Sequence, residues 1–174
     1  MKRLGWLLAS MATLSTFAAA DEVSYRKQFG DWTAVITANA MTDEQVCGAL
    51  YSKDSSIVYT SRDSFKVNMR GKGGASFFRY RFGKSVPSHG ETVTDDENSV
   101  ISVPVFISEV LTLPNLVVTG ETVTREPISI NISLKGLSAA RAALQQRCTG
   151  MVALPSMQEL PDWAWQATPS KPKQ

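Results

Sequence analysis

Basic side chains at alternate positions are the strongest chemical signal in the chain. From Arg62 to Lys84 there are seven bases (Arg62, Lys66, Arg70, Lys72, Arg79, Arg81 and Lys84) against one acid, Asp63, a local charge of +6. Within Ser64 to Arg70, Phe65, Val67 and Met69 share one parity, and Lys66 and Arg70 share the other with Arg62. Within Ser76 to Phe82, Phe78, Tyr80 and Phe82 share one parity, and Phe77, Arg79 and Arg81 the other. Gly71-Lys72-Gly73-Gly74 lies between them and reads as a turn, because glycine accepts positive φ without steric cost. The expectation is a hairpin whose outward face joins Arg62, Lys66, Arg70, Phe77, Arg79 and Arg81. Guanidinium forks match phosphate and carboxylate geometry, and a concentrated positive field speeds encounter with anions. The implied partner is anionic: lipid A phosphates, a polyanionic glycan, or an acidic patch on an envelope or host-surface protein. The alternative is a solvated sheet face, since alternating bases also keep exposed strands from pairing edge to edge.

Other reactive types are sparse. His89 is the only histidine, so a hydrolase reading must rest on it, with Asp95 or Asp96 as partner. No G-x-S-x-G elbow surrounds Ser85, Ser88 or Ser99, and no catalytic residue is assigned. One His and two Cys cannot supply a four-ligand Cys/His zinc site, and no C-x-x-C is present. Glu91, Asp95, Asp96 and Glu97 offer oxygen ligands without the spacing or central glycine of an EF-hand loop, which reads as a solvated acidic loop. No cofactor or metal is expected, and a formal charge of +2 is too small to argue for nucleic acid. Trp163 and Trp165 form another candidate surface, since Trp is enriched at interface hot spots. They support a second reading, a structural or interaction subunit docking into an envelope assembly. Against it stands the simpler alternative that the pair folds back on its own domain.

These residues need elements to position them. Lys2 and Arg3, the apolar stretch Leu4 to Phe17 and Ala18-Ala19-Ala20 follow the order of a secretory signal peptide cleaved after Ala20. The stretch falls short of the roughly 20 apolar residues of a spanning helix, and no later segment is long and apolar enough to span. Removal of residues 1–20 takes two bases and no acid, leaving 16 bases against 16 acids. The expected mature protein is periplasmic or secreted, with a single β-rich domain over 21–167 and a disordered tail over 168–174. In an oxidising compartment Cys47 and Cys148, the only cysteines, are expected to pair.

Period-two alternation then predicts strands over 31–38, 45–52, 56–61, 64–70, 76–82, 100–108, 116–124 and 127–133. Pro104 marks an edge or bulge, because it cannot donate to a ladder. One helix is predicted over 138–147, with Ser138 as N-cap and Leu137, Ala140, Leu144 and Cys148 on one face. The remainder, from Thr149, reads as an extended tail. Many short strands with one C-terminal helix imply a mainly β fold, a β-sandwich or partly open barrel.

Three local features align in order: Gln28-Phe29-Gly30-Asp31-Trp32-Thr33 soon after the leader, Glu44-Gln45-Val46-Cys47, and Ile128-Ser129-Ile130 running into Ser133-Leu134-Lys135-Gly136-Leu137 before a short Ala-rich helix. The chain resembles the invasion-associated locus B family of exported bacterial proteins, in which an F/Y-G-D-W opening and a late S-L-K-G-F turn recur. It departs in carrying Val35-Ile36-Thr37 where members commonly place a cysteine. The resemblance implies an exported β-rich protein without a known enzymatic activity, acting by binding a partner at the cell envelope or host surface.

Overall fold

Side chains that alternate at period two make one face of each strand apolar, and two such faces close on each other. The structure, a computed structural model, describes residues 22–39, 42–69, 73–90, 92–93 and 100–156. One sheet has seven strands in the order β1-β2-β3-β4-β5-β9-β8. These are β1 (Glu22–Phe29), β2 (Trp32–Ala38), β3 (Gln45–Tyr51), β4 (Ile57–Thr60), β5 (Ser64–Asn68), β8 (Thr92–Val93) and β9 (Val100–Pro104). The other has four, β6 (Ala75–Phe82), β7 (Ser88–Gly90), β10 (Asn115–Thr122) and β11 (Pro127–Ser133), in the order β11-β10-β6-β7. Every pairing is antiparallel. A mainly β sandwich with one C-terminal helix, α1 (Leu137–Gln145), is therefore the fold, as the alternation predicts.

The inward rows are fully buried: Trp32, Ala34 and Ile36 on β2, Phe65 and Val67 on β5, Ile101 and Val103 on β9, and Leu116 and Val118 on β10. Each large side chain removed from water contributes roughly 1.5–3 kcal/mol before conformational entropy is counted. Leu137, Ala140 and Leu144 of α1 are buried against β1, β2 and β3, the helix face expected from spacing.

The expected hairpin does not form. β5 pairs with β4 and β9, whereas β6 lies in the other sheet between β10 and β7. Their apolar faces oppose each other across the core instead of lying side by side, with the Phe65 and Phe82 rings 6.0 Å apart. Gly73 and Gly74, both at positive φ (83° and 66°), lie in the connection that carries the chain between sheets. Other boundaries also differ. The strand expected over 100–108 stops at Pro104, where the ladder loses a donor, and a 3-10 helix follows at Ser108–Thr112. Gly136, not Ser138, is the N-cap of α1. β1, β7 and β8 carry no clear alternation, and β1 has a register shift between Val23 and Tyr25.

The N-terminal and C-terminal motifs meet. Gly30 (φ 57°) and Gly136 (φ 91°) lie back to back, and a Cβ at Gly30 would sit 2.6 Å from the Lys135 carbonyl oxygen. Glycine alone permits that approach. The Asp31 amide donates to Lys135 O at 3.0 Å, and the Trp32 indole donates to Ser133 O at 2.8 Å. Bonds from Ser133, then Lys53, hold the half-buried Asp31 carboxyl below its ordinary range. Residues Gly30–Trp32 and Ser133–Gly136 thus form one structural clasp.

Cys47 on β3 and Cys148 just after α1 form a disulfide spanning 101 residues, with Cα atoms 6.4 Å apart. A bridge of this kind stabilises mainly by restricting the unfolded chain. Replacing both cysteines by serine is expected to cost about 2–4 kcal/mol. A thermal melt should then fall by roughly 4–16 °C, and an unchanged melt would show that the staple adds nothing.

Candidate functional site

The outer face of the seven-stranded sheet holds the most chemically distinct site. Two cross-strand rows run over it: Thr33, Leu50, Val58, Lys66 and Ser102, and beside them Val35, Gly48, Thr60, Ser64 and Pro104. Leu50 and Val58 stand tall, while Gly48, Thr60 and Ser64 are short. The difference in height leaves a groove of about 440 Å³. Val35, Val46, Leu50 and Val58 give it apolar walls, and Arg62 and Lys66 lie along one side. At Gly48 the backbone itself is the floor, and a Cβ there would lie 3.0 Å from Tyr59 O.

The cations are placed by different means. Lys66 sits on β5 and donates to Ser102 Oγ at 2.8 Å, which fixes the ammonium and leaves two of its three donors. Arg62 lies exposed in the β4–β5 turn, and no hydrogen bond or ion pair joins it to another described residue. The turn is closed by Asp63 N donating to Thr60 O at 3.1 Å and by the Thr60 and Ser64 hydroxyls 2.9 Å apart.

Asp63 turns the other way. Its carboxylate takes a fork from Arg141 of α1, Nε to Oδ1 at 2.8 Å and Nη2 to Oδ2 at 2.9 Å. Tyr59 Oη also donates to Asp63 Oδ1, and Arg141 donates further to Gln145 Oε1 and Val152 O. Arg141 is only 6% exposed. Burial would lower its pKa, but the bonds and charge of Asp63 more than offset this and raise it. Burial, and then the bond to Asp63, pushes the Tyr59 phenol up. Both groups therefore hold their protons, and this centre serves as a fixed support.

The expected basic face is divided between two surfaces. Arg62 and Lys66 flank the groove, whereas Phe77, Arg79 and Arg81 lie exposed on β6 and point away from the other side of the core. Arg79 and Arg81 border a small hollow of about 180 Å³ with Val117 and Thr119. Arg70, Lys72, Glu91, Asp95, Asp96, Glu97, Trp163, Trp165, and the segments over 1–20 and 168–174 expected to be a signal peptide and a disordered tail, lie outside the described residues. His89 on β7 faces Arg79 in register. No group of three or more His, Cys, Asp or Glu able to hold a metal occurs among the described residues.

None of the groove's apolar walls is singled out in the sequence reading. Their signal was nonetheless present, since Val46, Leu50 and Val58 are apolar at positions alternating with an apolar inward row. A strand apolar on both faces needs something on each. No family model, curated protein or solved structure matches the chain.

Asp63→Asn is expected to destabilise the protein by about 3–5 kcal/mol, because it leaves a buried guanidinium without a counter-charge. In a urea titration the midpoint should fall at unchanged slope. A loss below about 1 kcal/mol, the range of solvent-screened pairs, would contradict the burial argument.

Proposed function

We propose that this chain is an exported, non-enzymatic binding module that takes an anionic amphiphile on the outer face of its seven-stranded sheet. The observation that carries the reading is the pairing, in one groove, of apolar walls with Arg62 and Lys66 on one side. A molecule with an apolar chain and a phosphate or carboxylate head uses both halves: burial of the chain is favourable in proportion to area, and the head accepts charge-assisted hydrogen bonds. A polyanionic glycan would use only the cations. Lipid A, or another anionic lipid of the envelope or host surface, has the required chemistry.

Export rests on the leader-like order of residues 1–20 and is supported by the disulfide, since such bonds persist in oxidising compartments. No helix among the described residues is long and apolar enough to cross a membrane. Membership of the invasion-associated locus B family is part of the same proposal, supported by the contact between the F-G-D-W and S-L-K-G-L segments. The arginines of β6 offer a second surface for an anion without an apolar part.

Titration with lysophosphatidylglycerol tests the reading. Arg62→Glu/Lys66→Glu is expected to weaken binding roughly tenfold or more, one charge-assisted contact being worth about 1.5–3 kcal/mol. It should also flatten the salt dependence. Arg79→Glu/Arg81→Glu should bind as the unaltered protein does. Equal binding by Arg62→Glu/Lys66→Glu and the unaltered protein would remove the groove as the site, and loss confined to the β6 pair would move the function to the other sheet.

A further inference from the structure

A second apolar recess lies at one end of the sandwich, distinct from the groove and independent of the function proposed for it. Its walls come from Tyr80 on β6, from Val86 and Pro87 before β7, and from Phe106, Ile107 and Val110 around the 3-10 helix. It encloses about 490 Å³, within the roughly 300–1,000 Å³ typical of pockets that bury an apolar group. Val86 is 74% and Phe106 70% exposed, so large apolar side chains stand at its rim uncovered by any described residue.

The course of the chain supplies the occupant. After Cys148 the backbone runs back over the domain: Met151 is buried, Val152 O accepts from Arg141, and Pro155 O accepts from Ser108 N at 3.1 Å. Ser108 directly follows Ile107, so the described chain ends at Ser156 beside the wall of the recess. Trp163 lies seven positions beyond Ser156, a reach of roughly 23–25 Å when extended. Trp163 and Trp165 are two residues apart, which puts both indoles on one side of an extended segment. Ser85 and Ser88 line the recess. The Ser85 hydroxyl already accepts from the Phe82 amide at 3.2 Å and has a second lone pair, and either serine supplies an acceptor type that the indole N–H of a buried Trp needs. A short tether also raises the local concentration of the segment to the order of millimolar, so weak docking suffices.

We propose that the chain's own C-terminal segment seats Trp163 and Trp165 in this recess, covering Val86 and Phe106. The tryptophans then complete the domain and are not a surface for an outside partner. The test is fluorine NMR on the full chain labelled with fluorotryptophan, each resonance assigned by Trp→Phe substitution, with a soluble paramagnetic chelate as probe. The Trp163 and Trp165 resonances are expected to be shielded from the chelate, as that of core Trp32 is. In Val86→Asp/Phe106→Asp they should lose that shielding while Trp32 keeps it. Because both altered residues are exposed, the unchanged Trp32 resonance also reports that the variant folds. Full exposure of Trp163 and Trp165 in the unaltered chain would overturn the proposal. So would shielding that appears only as protein concentration rises, which would mean that the recess is filled by a second copy.

Discussion

A guanidinium taken out of water must have its donors satisfied, and at Arg141 that requirement shapes the molecule. Four acceptors surround it, two from Asp63, one from Gln145 and one from the Val152 carbonyl. The pair joins α1 to the β4–β5 turn and to the returning C-terminal strand of chain. Asp63 adopts φ 51° to reach it, a left-handed conformation that aspartate accepts more readily than most residues. With Asp63 committed inward, its neighbour Arg62 is presented outward beside the groove. Breaking one partner of such a pair costs far more than the pair's net contribution, so the turn has little freedom to take another shape.

The same helix is held at both ends by other means. At its start Gly136 meets Gly30, which ties α1 to the β1–β2 turn. Past its end, Cys148 is bonded to β3. Three tethers of different chemistry thus fix α1 on the inner face of β1–β3, and the opposite face of the same strands carries the groove. The groove's shape follows from residue sizes on neighbouring strands, with Gly48 and Thr60 low between Leu50, Val58 and Val35. A rigid backing and a surface of uneven height give this face of the sheet its recess.

Much of this was legible from period alone. Alternation located eight strands and the buried faces of those over 64–70 and 76–82, helical spacing gave the face of α1 that packs, and the cysteine count gave the disulfide. Alternation could not say whether two strands lie side by side or face to face, because both arrangements bury the same parity. β5 and β6 therefore read as a hairpin, although they belong to different sheets. Asp63 registered only as a charge among bases, since its partner lies 78 residues away in an Ala-rich helix. Of the six residues of the expected basic face, two, Arg62 and Lys66, line the groove, where they flank apolar outward positions. Phe77, Arg79 and Arg81 share a face with each other but not with them.

The groove unites these observations: a buried ion pair sets the turn, the turn presents Arg62, and Ser102 holds Lys66 across from the apolar walls. Mapping amide chemical shifts during titration with lysophosphatidylglycerol addresses the whole of it directly. Perturbations are predicted to cluster at Val46–Leu50 and Val58–Lys66, with Arg79 and Arg81 unmoved. Shifts confined to β6 and β10, or none at saturating ligand, would contradict the assignment of this face as the binding site.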